Sequence, residues 1–209
     1  MRNEDAEVHD GMKIAAKIFT RTSDLLISAF CLIIFSPLFL WCYIAVKRED
    51  KGPAIYSQER IGRGGKPFNI YKFRSMRLDA EADGPQLCLS EGNDERLTKI
   101  GRFLRDHHLD ELPQLWNVFI GDMAFVGPRP ERAYYIKQIM AYDSRYERLY
   151  EVRPGVTSYA TLYNGYTDSM EKMLRRLELD LYYLKHRSML LNCKILWLTF
   201  YRIVSGRVF

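Results

Sequence analysis

The sequence predicts a helix-dominated α+β fold, in which a membrane helix bent at a Ser-Pro pair lies on a compact cytosolic domain with a small β-hairpin. Three observations predict it: an uncharged apolar run from Leu25 to Val46, two short β-rich runs around a glycine-rich turn, and apolar residues at helical spacing elsewhere. The 209 residues suffice for one domain with a core. We expect an N-terminal lead at 1–12, whose order stays open, the membrane helix at 13–50, and the cytosolic domain with interfacial helices at 51–209.

The charge and cysteine content narrow the function classes. The chain carries 31 Lys and Arg against 26 Asp and Glu, a formal charge of +5. A basic surface suits nucleic acid, acidic lipid headgroups or phosphorylated substrates, and the sign alone does not choose among them. The four cysteines form no CxxC pair, and the four histidines have no ligand-like spacing. A disulfide framework or zinc site is therefore not expected, and the domain should face a reducing compartment.

The apolar run from Leu25 to Val46 is long enough to span a bilayer, which needs about 20 residues as a straight helix. However, Ser36-Pro37 lies near its middle, where proline removes a backbone hydrogen bond and favours a sharp bend. Basic residues also precede and follow the run, and both flanks should stay on the cytoplasmic side. A re-entrant helix satisfies both flanks, and a proline-kinked spanning helix remains the alternative.

The rest of the chain divides into a hairpin and several helices. The runs AIYSQ and PFNIYKF are typical of strands, and Gly62, Gly64 and Gly65 supply the turn between them. Residues 78–93 are acidic and contain Gly and Pro, as loops do. The following segments are predicted to be a helix capped by Asn93 or Asp94 and ending at Leu109, a second helix from near Asp110, a loop at 121–131, a helix at 131–150, a turn-rich segment at 153–167, a charged helix at 169–186 and a final apolar helix at 188–204.

Cationic side chains gather at the predicted turns and strand ends. The set comprises Arg60, Arg63, Lys72, Arg74, Arg105 and Arg129. Arginine matches phosphate geometry bidentately and lysine adds a point charge, so these positions are candidate phosphate ligands. Pro128 and Pro130 fix the backbone on both sides of Arg129, whose side chain should therefore leave a pre-ordered loop.

The adjacent acids Asp110 and Glu111 allow two interpretations. Asp110 can cap a helix while Glu111 complements the helix dipole in the first turn. Alternatively, carboxylate oxygens can bind Mg²⁺ in phosphate chemistry, or attack phosphorus directly to give an acyl phosphate. The two interpretations are compatible, because a helix N-terminus is also a favourable place for phosphate.

Several stretches, in order, resemble bacterial sugar transferases of the monotopic phosphoglycosyl transferase type. They cover roughly 15–200 and are the apolar run with Ser36-Pro37, GPAIYSQERIGRGGKPFNIYKFRSM, DERLTKIGRFLRDHHLDELPQLWNVFIGDM, VGPRP, VRPGVTS and LELDLYYLKHRSMLL. The resemblance implies transfer of sugar-1-phosphate from a UDP-sugar to polyprenyl (undecaprenyl) phosphate, with release of UMP, as the first membrane step of glycan assembly. It also implies the minimal form of the family, with Mg²⁺ as cofactor.

The family motifs also assign residues. Asp110 maps onto the nucleophile that forms a phosphosugar intermediate, and Glu111 onto its helper, which holds Mg²⁺ with Asp110 or manages protons. The phosphate contacts are implied at Arg105, Arg129, Lys72 and Arg74, donor contacts at Arg60 and Asp180, and the membrane bend at Ser36 and Pro37. The implied partners are the UDP-sugar, the lipid phosphate and membrane phospholipid at the cytoplasmic face of the bacterial inner membrane, without nucleic acid. A homo-oligomer stays open.

Three positions depart from the family pattern. His108 stands where a small hydroxyl residue is usual, Tyr166 follows Asn-Gly where Arg is usual, and Asn192 replaces a usual Asp. The last two bear on recognition of the donor sugar rather than on the chemistry. Two alternatives to covalent catalysis also remain: direct transfer without an intermediate, and a non-catalytic, membrane-bound basic module that binds anionic lipid.

Overall fold

The computed structural model describes residues 8–82, 84, 94–165 and 167–205. The chain is helix-dominated, as predicted, and contains two small sheets. The helices are α1 (Ile14–Ile34), α2 (Ser36–Glu49), α3 (Lys99–Asp106), α4 (Gln114–Ile120), α5 (Ala133–Tyr142), α6 (Tyr159–Asn164), α7 (Met170–His186) and α8 (Met189–Val204). The strands are β1 (Ile55–Ile61), β2 (Pro67–Phe73), β3 (Ala124–Val126) and β4 (Gly155–Thr157), and 3₁₀ turns lie at Arg63–Gly65, Leu109–Glu111 and Ser144–Glu151.

The apolar run forms two helices with a sharp bend between them. The axes of α1 and α2 meet at 63°. Ser36 and Pro37 open α2, where the missing proline N–H leaves no intrahelical bond unmade. Within the described part of the chain no single helix has the length and hydropathy of a membrane span, whereas this bent pair has both when taken together.

The predicted hairpin is confirmed. Strands β1 and β2 pair antiparallel, with Ile55 opposite Phe73 and Ile61 opposite Pro67. Gly64 and Gly65 occupy the turn with φ of 71° and 70°, a region that residues with a Cβ rarely adopt.

Two predicted helix boundaries are wrong. Helix α3 begins at Lys99 with Thr98 as its cap, because the Thr98 hydroxyl accepts from the Gly101 N–H at 2.9 Å. Asp94 instead accepts from the Arg96 guanidinium, and Asn93 lies outside the described residues. The helix also ends at Asp106, before the predicted Leu109.

The predicted helix at 131–150 is also two elements. Helix α5 ends at Tyr142, and the Asp143 carboxylate accepts from the Arg145 N–H to start a 3₁₀ turn. Asp competes for backbone groups in this way, which favours a break over helix continuation. Tyr135, Ile139, Tyr146 and Leu149 are buried, whereas Tyr142 at the end of α5 is 72% exposed.

Two segments predicted as loop and turn contain a parallel strand pair. Strands β3 and β4 align Ala124 with Gly155 and Val126 with Thr157. Gly155 is required here, because a Cβ on it would lie 2.1 Å from the Gly127 nitrogen. The charged helix and the final apolar helix are confirmed as α7 and α8, each capped by a serine side chain.

The bent helix pair is packed into the domain core. Cys42 and Val46 of α2 join Phe73 of β2 and Leu104 of α3 in one buried cluster. A second cluster joins α5, the Ser144–Glu151 turn and α7. The described cysteines are free thiols, while Cys88 lies outside the described residues. The apolar segment is therefore held against the same elements that flank the acidic pair.

Candidate active site

The acidic pair lies in the 3₁₀ turn Leu109–Glu111, between α3 and α4. Leu109 and Leu112 pack into the cluster around Leu104, which fixes both ends of the turn. His108 precedes it with φ 54°, the only positive φ of a non-glycine residue in the described part of the chain. Such a backbone is uncommon for a side chain with a Cβ, so the local packing holds the turn in a specific shape.

The expectation that Asp110 caps a helix is wrong. Helix α4 begins at Gln114 with Pro113 at the cap position, and no side chain accepts a capping hydrogen bond there. Asp110 lies inside the preceding turn, too far back along the chain to reach the N–H groups of the first turn of α4. Its carboxylate is therefore not occupied by helix capping.

Cations surround the pair from three separate elements. The Lys72 Nζ on β2 lies 2.6 Å from Glu111 Oε1, and the Arg129 Nη2 lies 3.9 Å from the same oxygen. Arg105 on α3 is close enough to act electrostatically on Asp110. Residues distant in sequence thus place positive charge around two adjacent carboxylates, an arrangement suited to a phosphorylated ligand.

The two carboxyl groups have opposite pKa shifts. Burial raises the pKa of Asp110 above its usual range, and the charge of Glu111 adds to the increase, while Lys72 opposes it. Burial acts in the same direction on Glu111, but Lys72 and Arg129 outweigh it and lower its pKa to about 2. Glu111 is therefore the fixed charge of the pair, and Asp110 is the more basic carboxylate.

Asn117 fixes the strand that carries Lys72. Its buried side-chain amide accepts from the Tyr71 N–H at 3.1 Å and donates to the Asn69 carbonyl at 2.7 Å. Asn117 belongs to α4, the helix that follows the acidic pair. These hydrogen bonds set the position of Lys72 relative to Glu111.

A close backbone approach positions Arg105. The Thr98 N–H donates to the Ser75 carbonyl at 3.1 Å, and a Cβ on Gly101 would lie only 1.9 Å from that oxygen. Glycine at 101 therefore allows α3 to lie directly on the chain leaving β2. The Arg105 Nε then donates to the Ser75 hydroxyl at 3.1 Å.

The structure places the other predicted site residues away from the pair. Arg74 is buried, forms an ion pair with Asp50 and donates to the Pro53 carbonyl at 2.7 Å. Arg60 donates to Glu131 at 2.8 Å. Asp180 is buried, and the positive charge of Arg176 acts on its carboxyl group.

The family departures differ in their surroundings. Asn192 is buried, and its Oδ1 accepts from the Tyr183 hydroxyl at 2.8 Å, within the core between α7 and α8. Tyr166 lies outside the described residues. Asn192 therefore contacts another core residue, a contact that could not be read from the sequence.

Sequence reasoning missed the residues that support the site through buried polar contacts. They are Ser75, Asn117, Glu131 and Arg176. Glu131 had a detectable signal, since it lies two residues after the proline-flanked Arg129 in GPRPE. For the other three, only the tertiary structure shows which groups they contact.

Comparison with known proteins identifies the family. The model of the bacterial sugar transferases matches residues 15–206, nearly the whole chain. The chain belongs to the bacterial sugar transferase family. The resemblance stated from the motifs is thereby confirmed.

Named relatives within this family differ in their sugar. A UDP-glucose:undecaprenyl-phosphate glucose-1-phosphate transferase of Klebsiella pneumoniae is 41% identical over 88% of this chain and 40% of its own length. A protein of the same name from Caulobacter vibrioides is 38% identical over 88% of this chain and 68% of its own. A UDP-N-acetylgalactosamine-undecaprenyl-phosphate N-acetylgalactosaminephosphotransferase of Aeromonas hydrophila is 36% identical, over 89% of this chain and 44% of its own. The chain thus spans less than half the length of the first and third of these proteins.

Proposed function

We propose that this chain transfers a sugar-1-phosphate from a UDP-sugar to undecaprenyl phosphate, releases UMP, and proceeds through a phosphosugar intermediate on Asp110. The observation that carries the proposal is the unequal acidic pair. Glu111 is held as an anion by Lys72 and Arg129, while Asp110 lies beside it as a buried and more basic carboxylate. A basic carboxylate among cations is suited to attack a charged phosphorus.

In the first step, an Asp110 carboxylate oxygen attacks the phosphorus that bears the sugar. A new Asp110–phosphorus bond forms as the bond to the UMP oxygen breaks, and UMP leaves with that electron pair. The donor diphosphate is negatively charged and repels an incoming carboxylate, so the cations at Lys72, Arg105 and Arg129 must neutralise it. Lys72 and Arg129 lie beside Glu111, and Lys72 and Arg105 act electrostatically on Asp110.

In the second step, an oxygen of the lipid phosphate attacks the same phosphorus. The phosphorus–Asp110 bond breaks, the carboxylate is regenerated, and the product is a lipid-linked diphosphate sugar. The same cations stabilise the charge in both steps, because the reacting phosphorus stays at Asp110 throughout. Glu111 remains ionised and keeps Lys72 in place.

The donor set fits Mg²⁺ as a cofactor bound together with substrate. Among the residues that the structure describes, no group of three or more His, Cys, Asp or Glu could form a cage for a metal. Mg²⁺ normally uses one or two carboxylates and completes its shell with substrate phosphates and water. Asp110 and Glu111 are the residues that would hold it, and it would supply charge neutralisation at the diphosphate.

The bent helix pair supports a location at the cytoplasmic face of the inner membrane. Large apolar side chains of α1, α2 and α8 are exposed to solvent, among them Phe19, Leu26, Phe30, Ile33, Leu40, Trp41, Leu190, Trp197 and Phe200. Exposed apolar area on this scale is typical of a membrane or protein contact. A re-entrant α1–α2 pair would set the height of the acidic pair at the surface where a lipid phosphate lies.

Release of UMP tests the proposal. Purified full chain in detergent with Mg²⁺ and a panel of UDP-sugars, including UDP-glucose and UDP-N-acetylgalactosamine, should release UMP with undecaprenyl phosphate present. Without the lipid, release should stop after about one equivalent per enzyme, as expected for a covalent intermediate. UMP that appears only when lipid is added would favour direct transfer. No UMP under either condition would contradict the proposed activity and favour a binding module.

A further inference from the structure

A buried ionic network lies directly behind Arg129. Glu131 is 7% exposed, and its two carboxylate oxygens accept from different arginines. Arg60 donates to Oε1 at 2.8 Å, and Arg176 donates to Oε2 from helix α7. Arg60 comes from β1, so Glu131 joins three elements that are distant in sequence.

The backbone that leads to Glu131 forms hydrogen bonds at several residues. The Gly127 N–H donates to Thr157 at 3.1 Å, and the Pro128 carbonyl accepts from the Gly155 N–H at 2.9 Å. Arg60 also donates to the Pro130 carbonyl at 3.2 Å. The Glu131 carbonyl accepts from the Ile61 N–H at 3.0 Å.

Asp180 lies on the same helix as Arg176. It is 2% exposed, and its Oδ1 has no hydrogen-bond partner among the residues that the structure describes. Arg176, one turn before Asp180 on α7, lies close enough to act electrostatically on its carboxyl group, as does Arg129. Asp180 therefore adds a buried acid to the surroundings of the loop.

The Arg129 side chain itself stays accessible. It is 42% exposed and reaches to 3.9 Å from Glu111. A buried ion pair is weak evidence for a stabilising role, because desolvation offsets most of the attraction. The network is better explained by the group that it orients. That group is the exposed Arg129 guanidinium, which lies at the edge of the network.

We propose that Glu131 and Arg176 are positioning residues that fix the Arg129 loop, so that its guanidinium meets the donor phosphates in one orientation. This inference rests on the proposed function. It also gives Arg60 a role different from donor contact, because its guanidinium holds the loop through Glu131 and Pro130.

A double-mutant cycle tests whether Glu131 acts through Arg129. Glu131→Gln, which keeps size but removes charge, should lower kcat/KM for the UDP-sugar about tenfold. In an Arg129→Ala background, the same change should alter kcat/KM by less than about twofold, because the group it positions is gone. A tenfold loss in both backgrounds would contradict the proposal.

Glu178→Gln is the matched control. Glu178 also pairs with an arginine, Arg145, but its side chain is 53% exposed on the outer face of α7. It should leave kcat/KM within about twofold in either background. If Glu131→Gln fails to fold, Arg176→Lys serves in the same cycle. Lysine keeps the positive charge at position 176 but lacks the planar guanidinium group that donates to Glu131.

A second measurement does not depend on activity. Hydrogen–deuterium exchange of the non-proline amides in the segment 127–132 should be faster in Glu131→Gln than in the wild type. The same exchange should be unchanged in Glu178→Gln. Unchanged exchange at 127–132 would overturn the positioning role. If the wild type releases no UMP, the proposed function fails, whereas faster exchange in Glu131→Gln would still support the fixed loop.

Discussion

The Lys72 ammonium lies 2.6 Å from Glu111 Oε1 and helps to hold that carboxyl group ionised beside the buried Asp110. Glu111 keeps its negative charge to low pH, because Lys72 and Arg129 together outweigh its burial, whereas burial raises the pKa of Asp110. The two adjacent acids therefore differ in basicity.

Replacing Lys72 should shift the pH dependence of activity. Lys72 lowers the pKa of both carboxyl groups, so Lys72→Met should raise both pKa values. The nucleophile must be ionised, and the acidic limb of the kcat/KM profile should therefore move to higher pH. We also expect a loss of about tenfold or more at the optimum, since one phosphate-neutralising cation is removed.

Lys66→Met is the control for this shift. Lys66 is exposed at the turn of the same hairpin and should leave the profile in place. UMP release measured across pH distinguishes the two variants. An acidic limb of Lys72→Met at the wild-type position would contradict the role given to Lys72.

Arg129→Lys should lower activity although it keeps the charge. A lysine cannot reproduce the planar guanidinium fork that binds two phosphate oxygens at once. We expect kcat/KM to fall about tenfold or more, with a thermal unfolding midpoint close to the wild type because the side chain is 42% exposed. Arg145→Lys, in a surface ion pair with Asp143, is the matched control and should be nearly silent. Wild-type kinetics in Arg129→Lys would remove this residue from the phosphate site.

Arg21 should stabilise the contact between helices α1 and α4. Its guanidinium donates to the carbonyls of Val118 at 2.6 Å and Phe119 at 2.9 Å, near the C-terminus of α4. Arg21→Met should lower the free energy of unfolding by roughly 2 kcal/mol, because these carbonyls lose a charged donor. Denaturant unfolding in detergent measures it. Lys13→Met, exposed at the start of α1, should change little, and equal stabilities of both variants would contradict the contact.

The re-entrant arrangement predicts that both ends of the apolar segment face the cytoplasm. In a background with the native cysteines replaced, single cysteines at Lys13 and Lys51 should both resist an impermeant thiol reagent added outside intact cells. Both should react once the inner membrane is opened. Labelling of one position from the periplasm would show that the helix pair crosses the bilayer.

Patterns local in sequence predicted much of the fold. The hairpin, α7 and α8 follow from β-rich runs, glycine turns and serine caps, which depend on neighbouring residues. The bend between α1 and α2 follows from Pro37 in the same way. A helix start failed where the capping residue was assigned too early in the chain: Asn93 or Asp94 was predicted, and Thr98 is the cap.

The strand pair and the supporting contacts could not be read from the sequence. Strands β3 and β4 have three residues each, which is too short for a periodic signal in the sequence. A long intervening segment also separates them along the chain. The acids and cations around Asp110 were predicted as a set. Their distances were not, because they depend on the side chain of Asn117 and on the close approach at Gly101.

The central claim is that Asp110 carries the phosphosugar, and intact-protein mass spectrometry tests it most directly. Wild-type chain incubated with an accepted UDP-sugar and Mg²⁺, without lipid, should gain the mass of one sugar phosphate, which peptide mapping places on Asp110. Asp110→Asn should gain none, whereas Asp106→Asn, exposed at the end of α3, should gain it as the wild type does. An adduct that persists in Asp110→Asn, or that maps to another residue, would contradict the assignment.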